Sequence, residues 1–222
     1  SDLIYDLPLS QVGGYYNSSY YPYKPVNIGS LKNSGVEVTI QTTNFQTDDF
    51  SWTTSLNIGH NTNKLVTLNG EQNEVVSGPL IHRIGEAYYS YYLYEYAGVD
   101  PQTGKELFYK NDGTADARQT TTNISEANKT IVGKHDAKVE GGLTNNLKWK
   151  WFDLGFTFTY SLGGDAFDYA TWQHSDGGVY LYNGAVPAYY TLEDMWTGPG
   201  DTSAKLPAFQ YGNNSQSMSS RW

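Results

Sequence analysis

From Gly35 onward apolar and polar positions alternate strictly. Val36, Val38, Ile40 and Thr42 fall on one parity, and Glu37, Thr39, Gln41 and Thr43 on the other. Period-2 alternation over eight residues predicts a strand with one apolar and one polar face. A short polar bridge at 46–49 follows, and the alternation resumes with Phe50, Trp52, Leu56 and Ile58 opposite Ser51, Thr53, Ser55, Asn57 and Gly59. The two runs predict a hairpin, which their β-branched and aromatic content supports. A second hairpin is predicted further on. Val139, Gly141, Leu143, Leu147 and Trp149 share a face, as do Phe152, Leu154, Phe156, Phe158, Tyr160 and Leu162, around a very short turn at Lys150. With an entering strand near the N-terminus, the expected strands are 1–8, 35–44, 49–60, 138–148 and 152–162.

The opposite faces carry Thr, Ser, Asn, Gln and Gly with few charges. A soluble sandwich would turn that face to bulk water and dress it in Lys and Glu. An outer-membrane barrel turns it to a wet lumen, gives the apolar face to lipid and gathers aromatic rings at both interfaces. Phe50 and Trp52 open one strand, and Trp149, Trp151 and Phe152 straddle the other turn, so aromatics mark the same end of both hairpins. The competing reading is a soluble β-sandwich whose aromatics plug its ends, a carbohydrate-binding module.

Connection lengths favour the barrel. Residues 63–137 separate the hairpins and 163–222 follow the second, whereas structureless loops beyond about 12–15 residues are uncommon in compact domains. Outer-membrane barrels combine short periplasmic turns with long extracellular loops. Both short turns are therefore expected on the periplasmic side, with 10–33, 63–137 and 163–222 outside. Five strands fall short of the roughly eight that the smallest such barrels use, so the chain reads as a piece of a barrel.

Composition removes other classes. Aromatics are 15% of the 222 residues, with 20 tyrosines, and charged residues are 17%, which is no signature of disorder. The net charge of −9 provides no electrostatic footprint for nucleic acid. The absence of cysteine excludes disulfides, thiolate metal sites and cysteine nucleophiles within these residues. No apolar run approaches the roughly 18 residues of a transmembrane helix, and SDLIYDLPLS does not read as a signal peptide.

Chemistry motifs are scarce. His60, His82, His135 and His174 are far apart in sequence, without the i+3 or i+4 spacing of a helical zinc pair. Residues 111–116 (NDGTAD) resemble a calcium loop only faintly and read as a surface turn. Gly163, Gly164 and Asp165, and Gly133 with Lys134, do not extend to a P-loop. Asp48 and Asp49 read as a solvated hairpin end. Asn17, Asn123, Asn128 and Asn213 fit the N-glycosylation pattern without adding information.

The remaining feature is tyrosine. Tyr88, Tyr89, Tyr91, Tyr92, Tyr94 and Tyr96 crowd nine residues, and Tyr15, Tyr16, Tyr20, Tyr21 and Tyr23 crowd another stretch. Tyrosine offers a flat apolar face and a hydroxyl at low entropic cost, which suits sugar rings, peptide side chains or a protein partner. Loop-on-loop packing explains the same composition. The 88–96 cluster is the candidate ligand or partner site, and no catalytic or metal residues are expected.

NIGSLKNSGVEVTI and DDFSWTTSLNIGHNTNKLVTL resemble the C-terminal barrel region of SusC/RagA-type TonB-dependent transporters. So do IGEAYYSYYLYEYAGVDPQTGKELFY and IVGKHDAKVEGGLTNNLKWKWFDLGFTFTYSLGGDAFD, in order, over roughly residues 1–175. Ala87 stands where that family usually has proline, and Ala127-Asn128-Lys129 where Ala-Asp-Lys is commoner. The resemblance implies an all-β, antiparallel segment of a transmembrane barrel of roughly 22 strands in the bacterial outer membrane. It implies that plug, TonB-binding segment, signal peptide and final strands lie outside these residues, with Trp222 a truncation point in an outer loop. It also implies nutrient import, of glycan or peptide, beneath a SusD-like surface lipoprotein. TonB would supply the energy through the plug, so no enzymatic activity, nucleotide or other cofactor is implied.

Overall fold

The structure is a computed structural model, and it describes residues 2–8, 23–68, 73–114, 118–174, 188, 191, 193–208 and 217–222. Twelve strands run through them: β1 (Asp2–Pro8), β2 (Tyr23–Gln46), β3 (Phe50–Leu68), β4 (Glu74–Ser77), β5 (Leu80–Arg83), β6 (Ser90–Tyr94), β7 (Tyr96–Val99), β8 (Glu106–Tyr109), β9 (Thr120–Thr121), β10 (Lys129–Lys134), β11 (Val139–Trp149) and β12 (Phe152–Leu162). A 3-10 turn at Ile124–Glu126 and helix α1 (Tyr169–His174) complete the described elements. No described helix is long and apolar enough to cross a membrane, which says nothing of strands. The chain divides into two compact units. The first comprises Ser1–Val75, Ile81–Ser90 and Lys134–Asp165, and the second Val76–Leu80, Tyr91–Gly133 and Ala166–Trp222.

The first unit is built on one antiparallel sheet in the order β1-β2-β3-β11-β12. Its register aligns the alternating residues of neighbouring strands into rungs. Ile40, Leu56, Leu143 and Phe158 form one rung, and Gln41, Ser55, Thr144 and Thr157 form the next, on the opposite face. On that polar face the Thr144 and Thr157 hydroxyls lie 2.9 Å apart.

The apolar face is not a core. Val36 is 69% exposed and Phe158 63%, and Val38, Ile40, Trp52, Ile58, Trp149, Phe152, Leu154, Phe156 and Leu162 are exposed with them. The buried apolar side chains (Leu65, Ile81, Leu93, Phe108 and Ala127) lie elsewhere. A sandwich would bury this face against a second sheet, but here it is open, as a lipid-facing wall requires. Its height fits a bilayer. From Phe152 to Leu162 five two-residue steps cover about 34 Å, or about 26 Å along the normal at a tilt near 40°. The fold is thus an all-β, antiparallel, barrel-type sheet, and β1 and β12 are its edges.

β2 corrects the expected outer loop at 10–33. It has 24 residues and begins at Tyr23, so 23–33 are strand, paired to β1 and β3, while 9–22 lie outside the described residues. Only about ten residues fit inside lipid, so β2 and β3 run on past it as a paired ribbon. There Leu65 of β3 is buried, and strict alternation fades from the sequence.

Two local devices hold the wall together. Gly141 lies beneath Tyr160, whose hydroxyl donates to the Asn57 carbonyl at 3.0 Å. A Cβ on Gly141 would meet that hydroxyl at 2.6 Å and the Asn57 carbonyl oxygen at 2.0 Å. The second device is Asn145, a polar residue in the apolar rung beside Thr54 and Phe156. It is only 8% exposed, and its Oδ1 accepts from the Trp52 indole at 3.0 Å and the Thr54 hydroxyl at 2.7 Å. An amide left unpaired in lipid would cost several kcal/mol, so these bonds let Asn145 tie β3 to β11.

Replacing Phe156 by Arg should cost about 2–4 kcal/mol of barrel stability, while Thr157→Arg, one residue on but facing the other way, should cost far less. Urea unfolding of the full receptor in lipid checks the pair, and equal costs would contradict the assignment of faces. Gly141→Ala should also destabilise, because the inserted methyl displaces a backbone carbonyl rather than a flexible side-chain tip.

Candidate functional site

The candidate tyrosines fall in different units. Tyr88 and Tyr89 belong to the first, and Tyr91, Tyr92, Tyr94 and Tyr96 to the second. Of the six, Tyr89 alone is exposed, at 46%, and the other five are half-buried. Tyr15, Tyr16, Tyr20 and Tyr21 lie outside the described residues.

In the first unit the far end of β3 organises the loop that carries Tyr88 and Tyr89. The Leu65 amide donates to the Glu86 carbonyl at 2.9 Å, and the Gly85 amide returns a bond to the Leu65 carbonyl at 2.8 Å. Two residues earlier on the strand, Asn63 Oδ1 accepts the Tyr88 amide at 2.7 Å while its Nδ2 donates to Asp136 at 2.7 Å. One side chain therefore fixes both the 81–90 loop and the segment leading into β11. The His135 amide donates to the Tyr89 carbonyl at 3.0 Å and closes the arrangement.

These anchors leave a row of rings. His82 stacks on Tyr88 with centroids 4.3 Å apart, Tyr89 meets Tyr88 edge-on at 4.8 Å, and His135 meets Tyr89 edge-on at 6.1 Å. The row is anchored at buried His82 and open at Tyr89, which gives a ligand or a protein partner a flat, rigid surface. Burial holds the His82 imidazole below its ordinary pKa, outweighing the opposite pull of the Tyr88 carbonyl, whose oxygen lies 2.9 Å from Nδ1. Neutral His82 with its proton on Nδ1 satisfies that carbonyl.

In the second unit Tyr94 and Tyr96 pack against a common ring. Tyr94 and Tyr96 both lean on Phe108, at 6.1 and 6.4 Å, and Lys129 Nζ lies 5.5 Å from the centre of the Tyr94 ring. Beneath them Glu106 and Arg221 form a buried ion pair at 2.8 Å, and Ser217 also donates to Glu106, at 3.1 Å. Burial pushes the Glu106 carboxyl above its usual range, against the opposing pull of the Arg221 charge. The Tyr94 amide bonds the Met218 carbonyl and the Ser220 amide bonds the Tyr94 carbonyl, so 217–222 is strapped to β6. The sequence, which reads Trp222 as a truncation point in an outer loop, carries no local sign of this strap, because its partners lie over a hundred residues away.

The DPQTG turn between β7 and β8 is similarly built. Asp100 accepts the Gln102 amide at 3.1 Å and the Thr103 hydroxyl, and Gly104 adopts a left-handed φ of 68°. A Cβ there would meet the Trp196 ring at 2.6 Å, and the Trp196 indole donates to the Pro101 carbonyl at 2.9 Å. Residues 111–114 form a self-capped turn, with Asp112 accepting the Thr114 amide and hydroxyl at 3.0 and 2.6 Å.

A further candidate comes from the sheet. Gly35 and Gly59, on adjacent strands, thin the polar face, and a cavity of about 550 Å³ opens there among Glu37, Asn57, Asn61, Glu140 and Ser161. Its carboxylates and amides suit sugar hydroxyls or ammonium groups. Sequence reading missed it, since only the register brings these glycines together.

His82 supplies a pH test. Its folded pKa lies below the unfolded value of 6.5, so its contribution to stability is complete above pH 6.5 and is lost as pH falls below that value. Protection of the amides in residues 81–90, measured against their intrinsic exchange rates, should fall between pH 7 and pH 5, and His82→Phe should flatten that dependence. In the second unit, Arg221→Met should cost about 3–5 kcal/mol by stranding a buried carboxylate, read as faster exchange in β7 and β8.

No protein-family model matches the chain. It is 30% identical over 230 residues to TonB-dependent receptor P3 of Formosa agariphila, covering 93% of this chain and 21% of that protein. It is 32% identical over 152 residues to TonB-dependent receptor SusC of Bacteroides thetaiotaomicron, covering 61% of this chain and 14% of that protein. A solved structure of the RagAB peptide transporter superposes with a TM-score of 0.76 at 26% identity, covering 96% of this chain and 23% of that one. The chain thus spans about a fifth of the length of these relatives. Register, open apolar face and relatives agree: the chain belongs to the SusC/RagA-type TonB-dependent receptors, of which it forms part of the barrel.

Proposed function

We propose that this chain is part of a bacterial outer-membrane importer that takes up an oligosaccharide or a peptide. TonB supplies the energy through a plug, and a SusD-like surface lipoprotein covers the outer loops. The observation that carries this reading is the wall itself. Its apolar face is open over about 26 Å, the height of an outer-membrane apolar band, and its other face is polar. Long loops rise from the end opposite the short turns. The relatives are named as receptors and transporters.

The six tyrosines take their place within this reading. Tyr89 is the exposed tyrosine of an anchored ring row and contacts cargo or the lipoprotein, while Tyr88 supports it from below. Tyr91, Tyr92, Tyr94 and Tyr96 shape the second unit's share of the outer surface.

Deleting the receptor in its host should abolish uptake of one labelled class, oligosaccharide or peptide, and removing TonB should do the same. Unchanged uptake of both classes would overturn the proposal. Alanine at Tyr89, Tyr91 and Tyr92 together should weaken uptake or lipoprotein association at normal surface levels. If neither changes, the tyrosines serve packing alone. An epitope inserted near Asn111 should be reachable on intact cells and one at Thr47 should not.

A further inference from the structure

The end of the wall with the short turns carries a further feature. β11 passes to β12 through Lys150 and Trp151, with Lys150 in a left-handed φ of 53°. The Lys150 amide donates to the Asp49 carbonyl at 2.8 Å, which ties this turn to the turn between β2 and β3. The rim therefore sets Asp48 and Asp49 beside Lys150, and none of the three forms an ion pair among the described residues. Directly against the rim, on the apolar face, Phe50, Leu147, Trp149, Phe152 and Leu154 line a groove of about 390 Å³. They fill the first two rungs of the apolar band, where the methylenes next to a headgroup would lie.

We propose that the groove holds one acyl chain of an inner-leaflet phospholipid whose zwitterionic headgroup is bound at the rim. Lys150 takes the phosphate, and Asp48 and Asp49 take the ammonium. Ordinary annular lipid needs only an apolar wall. A dent lined almost wholly by apolar atoms, placed beside unpaired charges of both signs, selects for a headgroup that carries both signs as well. Trp149 and Trp151 flank the position, as interfacial aromatics do at headgroup depth. The inference rests on the barrel reading but not on the cargo.

The test is native mass spectrometry of the full receptor, purified from the outer-membrane fraction in mild detergent and titrated with dioleoyl phosphatidylethanolamine or dioleoyl phosphatidylglycerol. The expected result is one phosphatidylethanolamine retained per receptor, at least fivefold over phosphatidylglycerol. Leu154→Trp, which fills the groove, should remove the retained lipid. Lys150→Glu and the turn variant Asp48→Asn with Asp49→Asn, which leave the groove intact, should erase the headgroup preference. Equal retention of the two lipids by the unaltered receptor, or unaltered retention in Leu154→Trp, would overturn the proposal. Because only receptor recovered from the membrane is titrated, a failure of the barrel reading would show earlier, as receptor missing from that fraction.

Discussion

In lipid, a strand's amides and carbonyls have no water to bond, so each must find a partner on a neighbouring strand. That constraint fixes the rest of the first unit. Continuous antiparallel pairing from β2 through β3 and β11 to β12 leaves one register, and with a side-chain period of two that register decides which residues meet lipid. The glycines follow from it: Gly141 makes room for Tyr160 to reach across to the Asn57 carbonyl. Asn145 follows too, since an amide on the apolar face survives only because Trp52 and Thr54 satisfy it.

The same ladder supplies the platform for the loops. β2 and β3 stay paired beyond the bilayer, and Asn63 and Leu65 on that extension fix the segment that presents Tyr88 and Tyr89. Rigidity is thus carried upward by strand rather than created in the loop. The second unit obtains its order differently, from a buried ion pair and a strap closing on short strands.

Legibility in the sequence followed the environment. Where one face meets lipid and the other water, alternation is strict, and 35–44, 49–60 and 152–162 could be read directly as strand faces. Residues 23–34 lose the signal because their apolar residues fall on both parities, Val26 and Ile28 on one and Leu31 on the other. Asn145 was passed over because an odd polar residue in an apolar series carries no mark of its partners, which come from β3. The tyrosines at 88–96 read as one cluster because sequence cannot show that the division between units falls after Ser90. The Glu106–Arg221 pair joins residues too far apart for any local pattern.

The central claim is that alternate residues of β12 face lipid and water. The chain contains no cysteine, so single cysteines at 154 through 161 can each carry a spin label in the full receptor, with any cysteines elsewhere replaced. Collision with oxygen and with a water-soluble nickel complex then reports each position's surroundings in a bilayer. Oxygen-dominated collisions are expected at 154, 156, 158 and 160 and nickel-dominated collisions at 155, 157, 159 and 161. Even-numbered labels shielded from both reagents, as inside a closed protein core, would contradict the claim.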